Sequence, residues 1–143
     1  METHFLDANI PMYAGGRGGE FKEPCVRLLV AVADGRLDGR TDAEVLQEIL
    51  HRFLAIGRRE EGFMIFDDFA RVLDGRTLGV EPADARLARE LAARHPGVPA
   101  RDLLHVAVCI RAGIRRIASF DTHFDRFREI ERVDPRRLAA SFP

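Results

Sequence analysis

Apolar and polar positions alternate in blocks along this chain. Phe5-Leu6 runs into Asp7-Ala8-Asn9, the pattern of a short buried strand ending at an acidic residue. A turn at Pro11-Met12-Tyr13 then leads into a helix, and Gly15–Gly19 reads as a flexible loop. Pro24–Ala33 has the opening proline and apolar spacing of a helix, halted before Asp34-Gly35, and Leu37–Arg40 is a weak second strand. Asp42 is placed to cap a helix over Asp42–Ile56, where Val45, Leu46, Ile49, Leu50, Phe53 and Leu54 recur with helical period. Glu60–Leu73 predicts another helix, with more aromatic and aliphatic residues than one buried stripe needs. Core packing is the plainer account of that surplus, a partner surface the alternative.

The second half repeats the alternation. Thr77–Val80 predicts a third strand, Pro82–His95 and Pro99–Ala112 two helices, the latter closed by Gly113. Ile114–Phe120 predicts a fourth strand ending at Asp121. Thr122–Arg128 follows as a short helix, Glu131–Asp134 as a closing strand, and a basic tail begins at Pro135. Strands separated by helices imply an α/β fold: a central parallel sheet of four to five strands with right-handed crossovers and helices on both faces. A length of 143 residues suits one domain over 1–143.

Composition narrows the chemistry. Hydrophobic residues are 46% and charged residues 31% of the chain, which excludes a disordered or fibrous protein. Net charge is only -1, yet all but one of the 22 basic residues are arginine, the exception being Lys22. Guanidinium forks suit phosphate or carboxylate, so this charge permits nucleic-acid binding without demonstrating it. Cys25 and Cys109 stand apart from each other and from any zinc-type spacing, and read as buried free thiols. The apolar runs are far shorter than a bilayer span and Met1-Glu2-Thr3-His4 carries no basic n-region, so a cytoplasmic protein is expected, with no membrane partner. The Gly15–Gly19 loop lacks both the Gly-Lys-Ser/Thr of a phosphate loop and the third glycine of a dinucleotide fingerprint. Ser119 and Ser141, the only serines, sit in no nucleophile elbow.

What remains is acidic. In an open parallel sheet the carboxyl ends of the strands share one rim, where ligands bind. Asp7 and Asp121 fall at such ends, Asp102 in the first turn of a helix that opens on the same rim, and Glu48 beside the apolar stripe of its helix. Four carboxylates brought together repel one another unless a cation neutralises them, which argues for Mg²⁺ or Mn²⁺ bound through oxygen. Such an ion activates water and stabilises charge on a phosphoryl group.

Four strings carry a resemblance: FLDANI (Phe5–Ile10), TDAEVLQEIL (Thr41–Leu50), RDLLHVAV (Arg101–Val108) and RRIASFDTHFD (Arg115–Asp125). In this order and over nearly the whole chain, they resemble the PIN-domain nucleases, most closely the VapC-like toxins of type II toxin–antitoxin systems. The resemblance assigns catalytic and metal-binding roles to Asp7, Glu48, Asp102 and Asp121, with Asn9 behind them and Asp125 as an outer carboxylate. Glu44 competes with Glu48 for the second role, and Asp125 with Asp121 for the fourth. The resemblance further implies an endoribonuclease cutting single-stranded RNA with metal-activated water, a VapB-like antitoxin as partner, and a homodimer.

Arg101, Arg52 and His123 are candidate RNA contacts near these motifs, as are Arg111, Arg115 and Arg116; for any single arginine, surface charge or ion pairing is the plainer account. His105 and His123 flank the site acids; for each, packing in the core or behind the acids is the plainer account, an RNA contact or proton shuttle the alternative. Three other readings stand beside the toxin. The first is a housekeeping ribonuclease of the same family without an antitoxin. The second, an aspartate-nucleophile phosphatase, meets an obstacle in Asn9, which cannot deliver a proton where that chemistry wants an acid. The third, a Mg²⁺-dependent receiver module, wants a late lysine that this chain lacks.

Overall fold

Phe5 and Leu6 are fully buried on strand β1 (Thr3–Leu6), as expected of a central strand covered by helices on both faces. In the computed structural model, which describes residues 1–143, β1 is flanked on one side by β2 (Asp38–Asp42) and on the other by β4 (Arg116–Ala118). With β3 (Thr77–Leu78) and β5 (Glu131–Val133) outermost, the sheet runs β3-β2-β1-β4-β5 with every pairing parallel. The predicted architecture is therefore observed, with five strands.

The helices follow the sequence pattern closely. α1 (Asn9–Ala14) and α2 (Lys22–Ala33) connect β1 to β2; α3 (Ala43–Ala55) and α4 (Arg59–Val72) connect β2 to β3. α5 (Pro82–Arg94) and α6 (Ala100–Ala112) carry the chain from β3, at one edge, across to β4 on the far side of β1. Asp42 caps α3 as predicted, its carboxylate accepting the Val45 N–H at 2.9 Å. Gly113 ends α6 at φ 71°, in the left-handed region that favours glycine. α6 is the most buried helix: Leu103, His105, Val106, Ala107, Val108 and Cys109 are all in the interior. α3 and α4 approach so closely that a Cβ on Gly62 would lie 2.4 Å from the Cβ of Phe53, so only glycine fits there. The aromatic surplus of α4 goes mostly to packing, with Phe69 buried and Phe63 and Phe66 half-buried, while Met64 points outward.

Several boundaries differ from expectation. β3 stops at Leu78 and β4 spans only Arg116–Ala118, so Asp121 lies three residues beyond its strand. The short helix after it is a 3₁₀ helix over Thr122–Arg126. The expected basic tail is a helix, α7 (Pro135–Ala139), packed on α2. Asp134 caps it through the Arg136 N–H at 2.8 Å, and proline in the first turn fits a helix start, a signal present in the sequence. No helix is long and apolar enough to cross a membrane. Burial pushes both thiols up, Cys25 to about 12, as suits free cysteines in the interior.

Candidate active site

The sheet order reverses direction at β1: the chain leaves it toward β2 and later returns to its other side at β4. A crevice opens at the carboxyl end of such a switch point. Asp7, the first residue after β1, sits there with only 2% of its surface exposed. Its Oδ1 accepts the Ala8 N–H at 2.8 Å and its Oδ2 accepts the Ser119 hydroxyl at 2.6 Å. Ser119, at the end of the neighbouring strand, also accepts Asn9 Nδ2 at 3.1 Å and the Asp121 N–H at 3.0 Å. Asn9 Nδ2 lies 3.4 Å from Asp7 Oδ2 as well, while its Oδ1 is buried without a partner. One serine hydroxyl thus ties the first acidic segment to the last.

A second chain of contacts runs through α6. His105 is fully buried and donates from Nδ1 to Asp42 Oδ2 and from Nε2 to Glu48 Oε1, both at 2.8 Å; Nε2 is also 3.9 Å from Asp7. Both partners are carboxyl groups, and two of them on one ring favour its protonated form. Burial pulls the His105 pKa down, but the hydrogen bonds to Asp42 and Glu48 outweigh it and hold the group well above its ordinary value. One turn earlier on the same helix, Asp102 lies 2.8 Å from His123 Nε2, a close charge contact without hydrogen-bond alignment.

The carboxyl groups respond to their surroundings. Burial, with Asp102 and Glu48 nearby, pushes Asp7 up to about 7 against the opposing pull of His105 and the Ser119 hydrogen bond. Asp102 is also raised, mainly by burial. Part of the repulsion within this cluster is thus met inside the protein, alongside what a bound dication would supply. A buried imidazolium sits among the acids, and the raised carboxyl groups relieve part of the repulsion by holding protons more tightly.

The structure brings together Asp7, Glu48 and Asp102, whose oxygens lie with a His105 nitrogen within 4.8 Å of one another. Asp121 is exposed and belongs to a neighbouring group, Asp102, Asp121 and His123, gathered within the same distance; Asp102 is common to both. Glu44 is in neither. Asp125, expected as an outer carboxylate, instead pairs with Arg132 at 2.9 Å, because the 3₁₀ turn carries it toward β5. Arg101 Nε is 3.7 Å from Glu48 Oε2. Arg111 is held by Asp84 at 2.8 Å and Arg116 lies 3.4 Å from Glu2, ordinary ion pairs. Sequence reasoning gave no role at the site to Asp42 beyond its cap or to Ser119, and for His105 it offered packing in the core or behind the acids, with an RNA contact or proton shuttle as the alternative. The signal for Ser119 lay in Ser-Phe-Asp, two residues before Asp121.

Asp7, Glu48 and Asp121 line an open cavity of about 660 Å³, with Arg17, Arg52, Arg58 and Arg101 also on its walls. An acid floor under arginine walls suits a phosphate-bearing substrate met by a cation. The donor set supports that: both His105 nitrogens are engaged, leaving carboxylate oxygens, the ligands hard divalent ions take, and the orphaned Asn9 Oδ1 is a further buried oxygen beside Asp7. The cluster can hold a divalent cation.

Comparison with known proteins agrees with this geometry. The family model of the PIN domain matches residues 4–130. Ribonuclease VapC13 of Mycobacterium tuberculosis is 42% identical over 128 residues, which span 90% of this chain and 97% of that protein. Ribonuclease VapC23 of the same species is 38% identical over 119 residues, covering 82% and 91%. Among solved structures, VapBC2 from Rickettsia felis, bound to a DNA fragment from its promoter, superposes with a TM-score of 0.69 at 17% identity, over 92% of this chain and 99% of that one. A match along most of the chain, close relatives by sequence and a shared fold leave one conclusion: this protein belongs to the PIN-domain family.

Proposed function

We propose that this protein is a divalent-metal-dependent endoribonuclease and the toxin of a type II toxin–antitoxin pair, held in check by a VapB-like antitoxin. It acts in the cytoplasm as a single PIN domain over 1–143, in homodimeric form. The carrying observation is the group of Asp7, Glu48 and Asp102 at the sheet's switch point, facing a cavity walled by arginines. These three residues, with Asp121 at the rim, would hold Mg²⁺ or Mn²⁺. When bound, that ion would lower the pKa of a water so that hydroxide is available to attack an RNA phosphodiester, and would stabilise charge on the phosphoryl oxygens. Ser119 and Asn9 orient Asp7, His105 orients Glu48, and Arg52 and Arg101 meet the flanking phosphates, with His123 beside Asp102 at the edge of the substrate path.

The names of the relatives favour a toxin over a housekeeping ribonuclease. The phosphatase reading loses ground because the Asn9 amide is turned back onto Asp7 and Ser119. A labelled RNA pool tests the proposal, incubated with Mg²⁺, Mn²⁺ or chelator. Cutting is expected only with the ions, and Asp7→Asn is expected to lower kcat/KM by about 10²–10³-fold, the scale for losing one preorganised charge-stabilising group. Equal cutting by Asp7→Asn, or undiminished cutting in chelator, rejects the assignment.

A further inference from the structure

Beside the acidic floor, three aromatic rings from separate stretches of chain come together. Tyr13, near the end of α1, meets Phe21 edge-on at 5.2 Å between centroids and Phe120 at 5.4 Å, and Phe21 and Phe120 tilt against each other at 4.5 Å. Rings that bind one another this closely usually finish inside the core. These do not: Phe21 and Phe120 are half-buried, and Tyr13 keeps 39% of its surface in solvent. The Arg136 guanidinium lies 5.2 Å from the Phe21 ring and over it, and Tyr13 is the most exposed of the three.

Position makes that exposure informative. Tyr13 and Phe120 line the same cavity as Asp7 and Asp121, and Phe120 is the residue between Ser119 and Asp121 in the chain. Aromatic side chains therefore share one cavity with the acids, and Arg17 and Arg52 line it as well. Few ligands offer a flat π-face next to a negative charge. A nucleotide within a single strand does, its base free to stack and its phosphates free to meet guanidinium groups. In a duplex the bases are already stacked on each other and have no face to offer.

We infer that Tyr13, braced by Phe120, is a stacking platform for an unpaired base next to the scissile phosphate. The inference rests on the nuclease reading for its substrate, but its main test does not require cleavage.

Tyr13 is the only tyrosine and the chain has no tryptophan, so near-ultraviolet emission reports this one position. The Asp7→Asn protein is titrated with a single-stranded RNA oligonucleotide of mixed sequence in Mg²⁺, and emission is corrected for nucleotide absorption. Saturable quenching is expected, and none from the same sequence as a duplex. In a kinetic arm on the otherwise native protein, Tyr13→Leu is expected to lower kcat/KM about tenfold, mostly through KM, and Tyr13→Phe to restore it, as for loss and return of one stacked base. With an abasic nucleotide at the stacked position, native protein and Tyr13→Leu should cut at the same rate.

Unchanged emission at RNA concentrations that saturate cutting overturns the platform and leaves those rings to a protein partner. So does a Tyr13→Leu defect that persists undiminished with the abasic site at every position, which marks a structural effect. Quenching without any cutting keeps the platform and rejects the nuclease, whereas cutting without quenching does the reverse.

Discussion

The two ends of the acidic site are built on different principles. At the inner end, Asp7, Asp102 and His105 are 2%, 5% and 0% exposed, and Asp7 and His105 are held by short hydrogen bonds. At the outer end, Asp121 stands in solvent on the coil after β4, tied to the rest through its backbone N–H and Ser119. Buried charge must be balanced inside the protein, because each uncompensated group loses its hydration. The inner end therefore carries its own cation and fixed partners, while water serves the outer end. The inner end sets geometry; the outer end can adapt to what enters.

The sharpest way to break this contrast is to remove the inner cation. His105→Leu leaves Asp42 and Glu48 facing an apolar side chain, and a loss of about 3–5 kcal/mol is expected, as when one partner of a buried ion pair is deleted. Urea unfolding measures it. A loss below about 1 kcal/mol, typical of exposed pairs, means the network does not hold that end together.

At the outer end the same kind of change should affect activity alone. Asp121→Asn is expected to weaken RNA cleavage about 10–100-fold, as for perturbing a group that tunes a metal site, with half-saturation shifted to higher Mg²⁺. Its unfolding midpoint should stay where the native protein's is. A large drop in the midpoint would place Asp121 among the inner, structural charges.

Proton linkage sharpens the contrast further. Asp7 titrates near 7 in the metal-free fold but near 4 when unfolded, so between these values the folded state binds more protons. Stability of the metal-free protein therefore falls as pH rises from about 4 to about 7. The raised values of Asp102 and His105 act in the same direction, that of His105 as pH rises above about 6.5. Thermal melts in chelator should accordingly show a lower midpoint at pH 8 than at pH 5.5. Added Mg²⁺ should raise the midpoint more at pH 8, because it competes with protons for the same oxygens. A midpoint independent of pH would mean that the inner carboxyl groups are not raised.

The smallest effect is expected at Asp125. It pairs with Arg132 on the surface, so Asp125→Ala should cost about 0–1 kcal/mol and leave cleavage unchanged. A loss of activity comparable to that of Asp121→Asn would return Asp125 to the site.

Helix and strand order was readable because each element has a local cause. The apolar spacing of Val45, Ile49 and Phe53, the Asp42 cap and the Gly113 stop act within a few residues of themselves. Strand ends were less readable, since a parallel strand ends where its neighbour ends, and β4 is shorter than the apolar run that contains it. α7 shows the reverse case, a cap and first-turn proline that were present in the sequence and assigned to a tail.

By itself the sequence placed Asp7 just after a strand and Asp102 in the first turn of a helix, two of the carboxyl groups that the fold brings together. Periodicity and capping act along the chain and leave their marks in it. Only the tertiary structure decided that His105 would lie between Asp42 and Glu48, that Ser119 would hold Asp7, and that Asp125 would turn away to Arg132. His105 and Asp42 are 63 residues apart, and Ser119 and Asp7 are 112. Contacts over such separations depend on sheet order and on the burial of each partner, quantities that come into being only when the strands pair.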